Sequence, residues 1–95
     1  MRLYVLVRKD LGHSERAVQA GHAVAGFLLN GSKEWKNETL IYLGVKGEHQ
    51  LKTWINKLSR LNIKCIPWRE PDMNNEVTAI ATIAESEIFK NVNLL

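Results

Sequence analysis

The run Arg2-Leu3-Tyr4-Val5-Leu6-Val7 constrains the fold most, because it is apolar at nearly every position instead of every second one. A strand with one wet face alternates, so this one is expected to be buried on both faces, at the centre of a sheet. A polar turn with a glycine follows, Arg8-Lys9-Asp10-Leu11-Gly12-His13, and then an alanine-rich run without proline. Ser14 is the expected N-cap, with Glu15 in the positive first turn of a helix running to Leu29, where Asn30-Gly31 supplies the stop.

At 100° per residue, Ala17, Val18, Ala20, Gly21, Val24, Ala25, Phe27 and Leu28 cover more than half of that helix, which predicts that it is mostly buried. Glu15, Gln19, His22 and Gly26 share the remaining sector as a narrow polar stripe. After a polar connection over 32–38 pinned by Trp35, Leu40 to Val45 is a second strand, ended by Gly47.

The next helix, about Glu48 to Leu61, carries Leu51, Trp54, Ile55, Leu58 and Leu61 at core-facing spacing, and turns Lys52, Lys57 and Arg60 toward solvent or a ligand. Asn62 can stop it. Ile63, Cys65 and Pro67 continue into a third strand whose proline marks an edge or a strand end. The run from Trp68 to Glu76 is dense in turn-forming residues and is the best loop candidate for function. Val77 to Ile83 is a fourth strand, Glu85-Ser86-Glu87 starts a last turn, and Leu94-Leu95 are expected to fold back onto the core.

This order, βαβαββ, predicts an α/β fold with helices packed on a mixed sheet of about four strands. The 95 residues suit a single domain, 1–95, with one core's worth of apolar chain. Apolar runs such as Leu3 to Val7 and Ala23 to Leu29 are too short to cross a bilayer of about 30 Å. No basic stretch and apolar leader precede the first strand, and Cys65 is the only cysteine, so a cytoplasmic protein without disulfides is expected. Cys65 sits in an alternating apolar run, as a small buried thiol would.

Charge is unevenly placed. Residues 1–69 hold twelve of the thirteen Lys and Arg against five acids, whereas 70–95 hold Lys90 against five acids. A basic body suits a polyanionic partner, with an acidic loop set aside for another task. The chain has no phosphate-binding glycine loop and no dinucleotide fingerprint; His13, His22, His49 and Cys65 lack metal-ligand spacing, so neither cofactor nor metal is expected. The polar stripe, with Glu70, Asp72 and Glu76, could make a metal-free hydrolytic site. There a carboxylate or His22 would position or deprotonate water, and an amide or cation would stabilise the oxyanion.

Arg8-x-Asp10-Leu11 closing the first strand, followed by Ala17-Val18-Gln19-Ala20-Gly21-His22-Ala23 on the helix, resembles the type 2 peptidyl-tRNA hydrolases, a likeness continued by Thr78-Ala79-Ile80-Ala81 and Leu94-Leu95. The resemblance implies hydrolysis of the ester joining a peptide to the 3′ end of tRNA, without metal or cofactor. It implies catalytic roles for Gln19, His22 and Thr78, and for Glu70 or Asp72 as the family's carboxylate. The family's longer, lysine-bearing loop is replaced by Gly12-His13-Ser14-Glu15-Arg16, so Arg16, Lys9 or His13 would have to serve in place of that lysine. Arginine can hold phosphate or an oxyanion but cannot act as a base. Arg8, Lys9, Arg16, Lys52, Lys57 and Arg60 are the expected tRNA contacts. A catalytically inactive RNA-binding module of the same fold is the alternative, and the sequence is compatible with a monomer or a homodimer.

Overall fold

A computed structural model describes residues 1–30, 35–36 and 39–95. The strand β1 (Arg2–Arg8) lies between β2 (Leu40–Val45), to which it is parallel, and β4 (Glu76–Ala84), to which it is antiparallel. The edge strand β3 (Cys65–Glu70) pairs antiparallel with β4, completing the order β2-β1-β4-β3. The helix α1 (His13–Leu29) covers one face and α2 (Glu48–Arg60) the other. The expected mixed four-stranded α/β architecture, with β1 buried inside it, is what forms.

Side chains alternate along β1 as a pleated strand requires. Leu3, Val5 and Val7 meet Ala20, Ala23 and Phe27 of α1, while Tyr4 and Leu6 meet Leu51 and Leu58 of α2. Covering a central strand on both sides takes one helix per face, so each helix buries one stripe only. The expectation that α1 is mostly buried is corrected for this reason: its buried residues are Gln19, Ala20, Ala23 and Phe27, and Val18 is 52% exposed. Leu61 is likewise exposed, as the residue that ends α2 and not as part of its core stripe.

Further differences are local. Gly12, not Ser14, occupies the N-cap position of α1. Asn30 ends that helix without left-handed backbone, its side-chain amide donating to the Gly26 carbonyl at 2.7 Å. Gly31 and most of the 32–38 connection lie outside the described residues; within it, the Trp35 indole donates to the Thr39 carbonyl at 2.9 Å. Asn62 stops α2 with φ 59°, as expected. Pro67 does sit on an edge strand, but that strand continues through Trp68 and Arg69 to Glu70, because β4 supplies antiparallel partners for them. The connection shrinks to a 3-10 turn, Pro71–Met73, followed by left-handed Asn74 and Asn75.

Leu94 and Leu95 return to the edge of β2, with the Leu95 amide donating to the Tyr42 carbonyl at 3.1 Å. Leu94 is nonetheless 73% exposed, so the tail adds backbone pairing to the sheet edge and not apolar bulk to the core. Cys65 is a free thiol packed against the α2-side core, and burial pushes its pKa up to about 12. It is therefore a packing residue and not a nucleophile.

Candidate active site

The ladder between β3 and β4 contains one irregularity. Trp68 pairs with Ala79 and Arg69 with Val77, which leaves Thr78 without an opposite residue, a β-bulge. In a regular strand Thr78 and Ala79 would face opposite sides. Here Ala79 packs in the α1-side core, and Thr78, fully buried, also turns to α1.

The Thr78 hydroxyl donates to Gln19 Oε1 at 2.7 Å, and Gln19 Nε2 donates to Glu70 Oε2 at 3.1 Å. An ionised carboxylate can only accept, so Gln19 must present its amide hydrogens to Glu70 and its carbonyl to Thr78. Glu70 also receives the indole N–H of Trp68 at 3.2 Å and the backbone N–H of Asp72 at 3.4 Å. These donors, the Trp68 indole first and then Gln19, hold its carboxyl below the usual range and keep it charged.

His22 completes the group. Its ring packs against Trp68 with centroids 4.6 Å apart, and its Nδ1 lies 3.7 Å from Glu70 Oε2, too far for a hydrogen bond. That nitrogen is buried and has no hydrogen-bond partner among the described residues. Gln19, His22, Glu70 and Asp72 line a cavity of about 540 Å³ with Leu11, Glu15, Val18 and Met73. The polar stripe of α1 thus packs along β3 and the turn after it. Gly26 continues it, where an added Cβ would come within 3.9 Å of Ile66 Cγ2.

The remaining expected site residues lie elsewhere. Arg8 is buried, with Nε and Nη2 on Asp10 at 2.9 Å each and Nη1 on Glu76 at 2.7 Å and on the Val77 carbonyl at 3.3 Å. The Asp10 contact above all raises its pKa further, and the guanidinium, paired with Asp10 and Glu76, ties β1 to β4. Glu76 is accordingly its ion-pair partner. Arg16 donates to the carbonyls of Leu11 and Lys9, pinning the short turn before α1. Arg16 and His13 line a separate concavity of about 260 Å³ with Tyr42 and Leu95, and the stem of Lys9 lies against Gly44 on β2. None of the three candidates for the family's lysine lines the Glu70 cavity.

Lys52 pairs with Glu48 at 3.6 Å and Lys57 lies 4.7 Å above the Trp54 ring; both, like Arg60, are exposed on α2. Sequence reasoning missed Trp68 as a partner of Glu70. Residues i and i+2 of one strand share a face, so extending β3 to Glu70 would have paired them. Among the described residues, no cluster of three or more His, Cys, Asp or Glu is arranged to hold a metal, and no helix is long and apolar enough to cross a membrane.

No individual curated protein matches the chain. The family model described as Peptidyl-tRNA hydrolase PTH2 matches residues 1–92 of the 95. The chain therefore belongs to the peptidyl-tRNA hydrolase PTH2 family.

Proposed function

We propose that this chain is itself a hydrolase that cleaves the ester between a peptidyl, or other N-substituted aminoacyl, group and the 3′ end of tRNA, with its chemistry in the Glu70 cavity. The observation that carries this reading is the ordered chain Thr78-Gln19-Glu70 ending beside the unpartnered Nδ1 of His22.

Water adds to the ester carbonyl, the bond from that carbon to the ribose oxygen breaks, and a proton passes from the water to the leaving oxygen. A carboxylate held below its usual range is a weak base, so Glu70 accepts a hydrogen bond from the water and orients it. His22, whose side chain is 43% exposed, takes the proton at Nε2, the ring nitrogen not buried beside Glu70, and returns it to the ribose oxygen. Asp72, exposed on the rim, has no side-chain partner among the described residues and is the lesser candidate for the orienting carboxylate. Thr78 is too deeply buried to touch an ester, so it and Gln19 are positioning residues for Glu70.

Release of an N-acetylaminoacyl group from tRNA by purified protein in the presence of a metal chelator tests this reading. No release at any enzyme concentration overturns it. The competing reading, a binding module without activity, is favoured by one observation, the lack of Lys or Arg among the residues lining the cavity. It predicts saturable tRNA binding without cleavage.

Thr78→Val keeps the side chain's shape and removes the donor to Gln19 Oε1, leaving a buried acceptor unpaired at a cost of about 1 to 3 kcal/mol. We expect kcat to fall about tenfold, equivalent to about 1.4 kcal/mol in the barrier, with KM little changed and recovery in Thr78→Ser. Equal losses in the Val and Ser variants would remove the positioning role.

Phosphate contacts fall to the exposed cations, Lys9 beside the turn and Lys52, Lys57 and Arg60 on α2. Replacing Lys57 or Arg60 by alanine is expected to flatten the logarithmic salt dependence of tRNA binding by about one unit each. An unchanged slope places the RNA on another face.

A further inference from the structure

The cavity's lining divides into two kinds of wall. Leu11, Val18 and Met73 are apolar, whereas Glu15, Glu70 and Asp72 are acidic and stand with Gln19 and His22, and no Lys or Arg lines the space. Glu70 is held charged by its donors. The side chains of Glu15 and Asp72 have no hydrogen bond or ion pair among the described residues, although the chain as a whole carries a net charge of +3. Three carboxylates around one concavity of about 540 Å³, one held charged by neutral N–H donors and two whose side chains have no partner among the described residues, give it a negative potential.

Such a space repels the phosphates of a tRNA 3′ end, so the nucleotide stays at the mouth and the acyl group enters. An acyl side chain that satisfies both walls has an apolar stem and a cationic end. Lysine and arginine are built this way, laying methylenes along apolar surface while the charged head reaches a polar rim.

We propose that the cavity selects esters whose aminoacyl residue carries a basic side chain, with Leu11, Val18 and Met73 bedding its stem and Glu15 and Asp72 receiving its charge. This specificity rests on the hydrolase reading above. It makes Glu15, at the first turn of α1 and outside the Thr78-Gln19-Glu70 chain, a specificity-determining residue.

The test uses one tRNA body carrying N-acetyl-lysine, N-acetyl-phenylalanine or N-acetyl-glutamate, so that only the acyl residue varies. For the full chain we expect kcat/KM for the lysyl ester to exceed that for the glutamyl ester by roughly tenfold or more at low salt, with the phenylalanyl ester between, and the ratio to shrink as salt rises. Glu15→Gln is expected to bring the lysyl-to-glutamyl ratio at least threefold closer to one. Equal cleavage of all three esters, or an unaltered ratio in Glu15→Gln, overturns the specificity and leaves the hydrolase reading standing. Cleavage of none overturns both.

Discussion

Glu70→Ala is expected to lower release of N-acetylaminoacyl groups from tRNA by about 10²- to 10³-fold, the usual scale for losing a group that positions or activates the attacking water. The effect should fall on kcat, because the carboxylate lies against Gln19 and Trp68 inside the cavity, away from the exposed cations proposed above as phosphate contacts. The alanine variant leaves three donors, the Gln19 amide, the Trp68 indole and the Asp72 backbone N–H, without their acceptor. Glu70→Gln keeps an acceptor oxygen and separates charge from shape; a glutamine variant as slow as the alanine variant assigns the effect to the charge.

The pH profile gives a second reading of the same group. Hydrogen bonds from Trp68 and Gln19 lower the pKa of Glu70 from 4.5, so the charged form persists to more acidic pH than in a free glutamate. Activity that needs this charge is fully present above the unperturbed value and is lost only as pH falls through the lowered one. An acid limb centred above 4.5 would rule out Glu70 as the group that sets it.

Phe27→Ala should have the largest effect on stability, a loss of about 3 to 5 kcal/mol. Phe27 is 1% exposed and fills the layer between α1 and the sheet, where most of its neighbours are alanines and valines too small to close the gap. Domains of this size are stable by only about 5 to 15 kcal/mol, so the change should move the urea midpoint by a large fraction of its value with little change in slope. A loss below about 1 kcal/mol would mean that α1 contributes little to folding. Because α1 also carries Gln19 and His22, the variant tests whether the helix anchors the site as well as the core.

Where burial dictates a pattern, the sequence was legible. β1 is apolar on both faces because both faces are covered, and Leu51 and Leu58 mark the stripe of α2 because that helix has a single wet side. Pro67 marked an edge because it lacks an N–H for a second ladder. The same reasoning overestimated α1. Periodicity counts apolar residues, but the fold decides how many faces of a helix meet a neighbour, and among the described residues α1 packs one face on the sheet and the turn after β3.

Within the site, the stripe of Glu15, Gln19 and His22 was visible as a face but not as a contact. Its partners come from β3 and β4, with Glu70 fifty-one residues beyond Gln19, and periodicity carries no information about such pairings. Arg8 and Arg16 show the opposite limit. Their charge is plain in the sequence, but its use on Asp10, Glu76 and turn carbonyls emerges only when the chain closes on itself.

The stretch of β4 paired with β3, Glu76 to Thr82, exceeds by one residue what an even pairing would need, and that surplus residue is Thr78. A lineage that lost this codon would gain a more regular sheet, and the hydroxyl that steers Gln19 would vanish with it. Substitutions elsewhere along β4 that keep the alternation leave the pairing intact, whereas a deletion between Val77 and Ala79 removes the bulge, so what this geometry requires there is a residue count as much as a residue type.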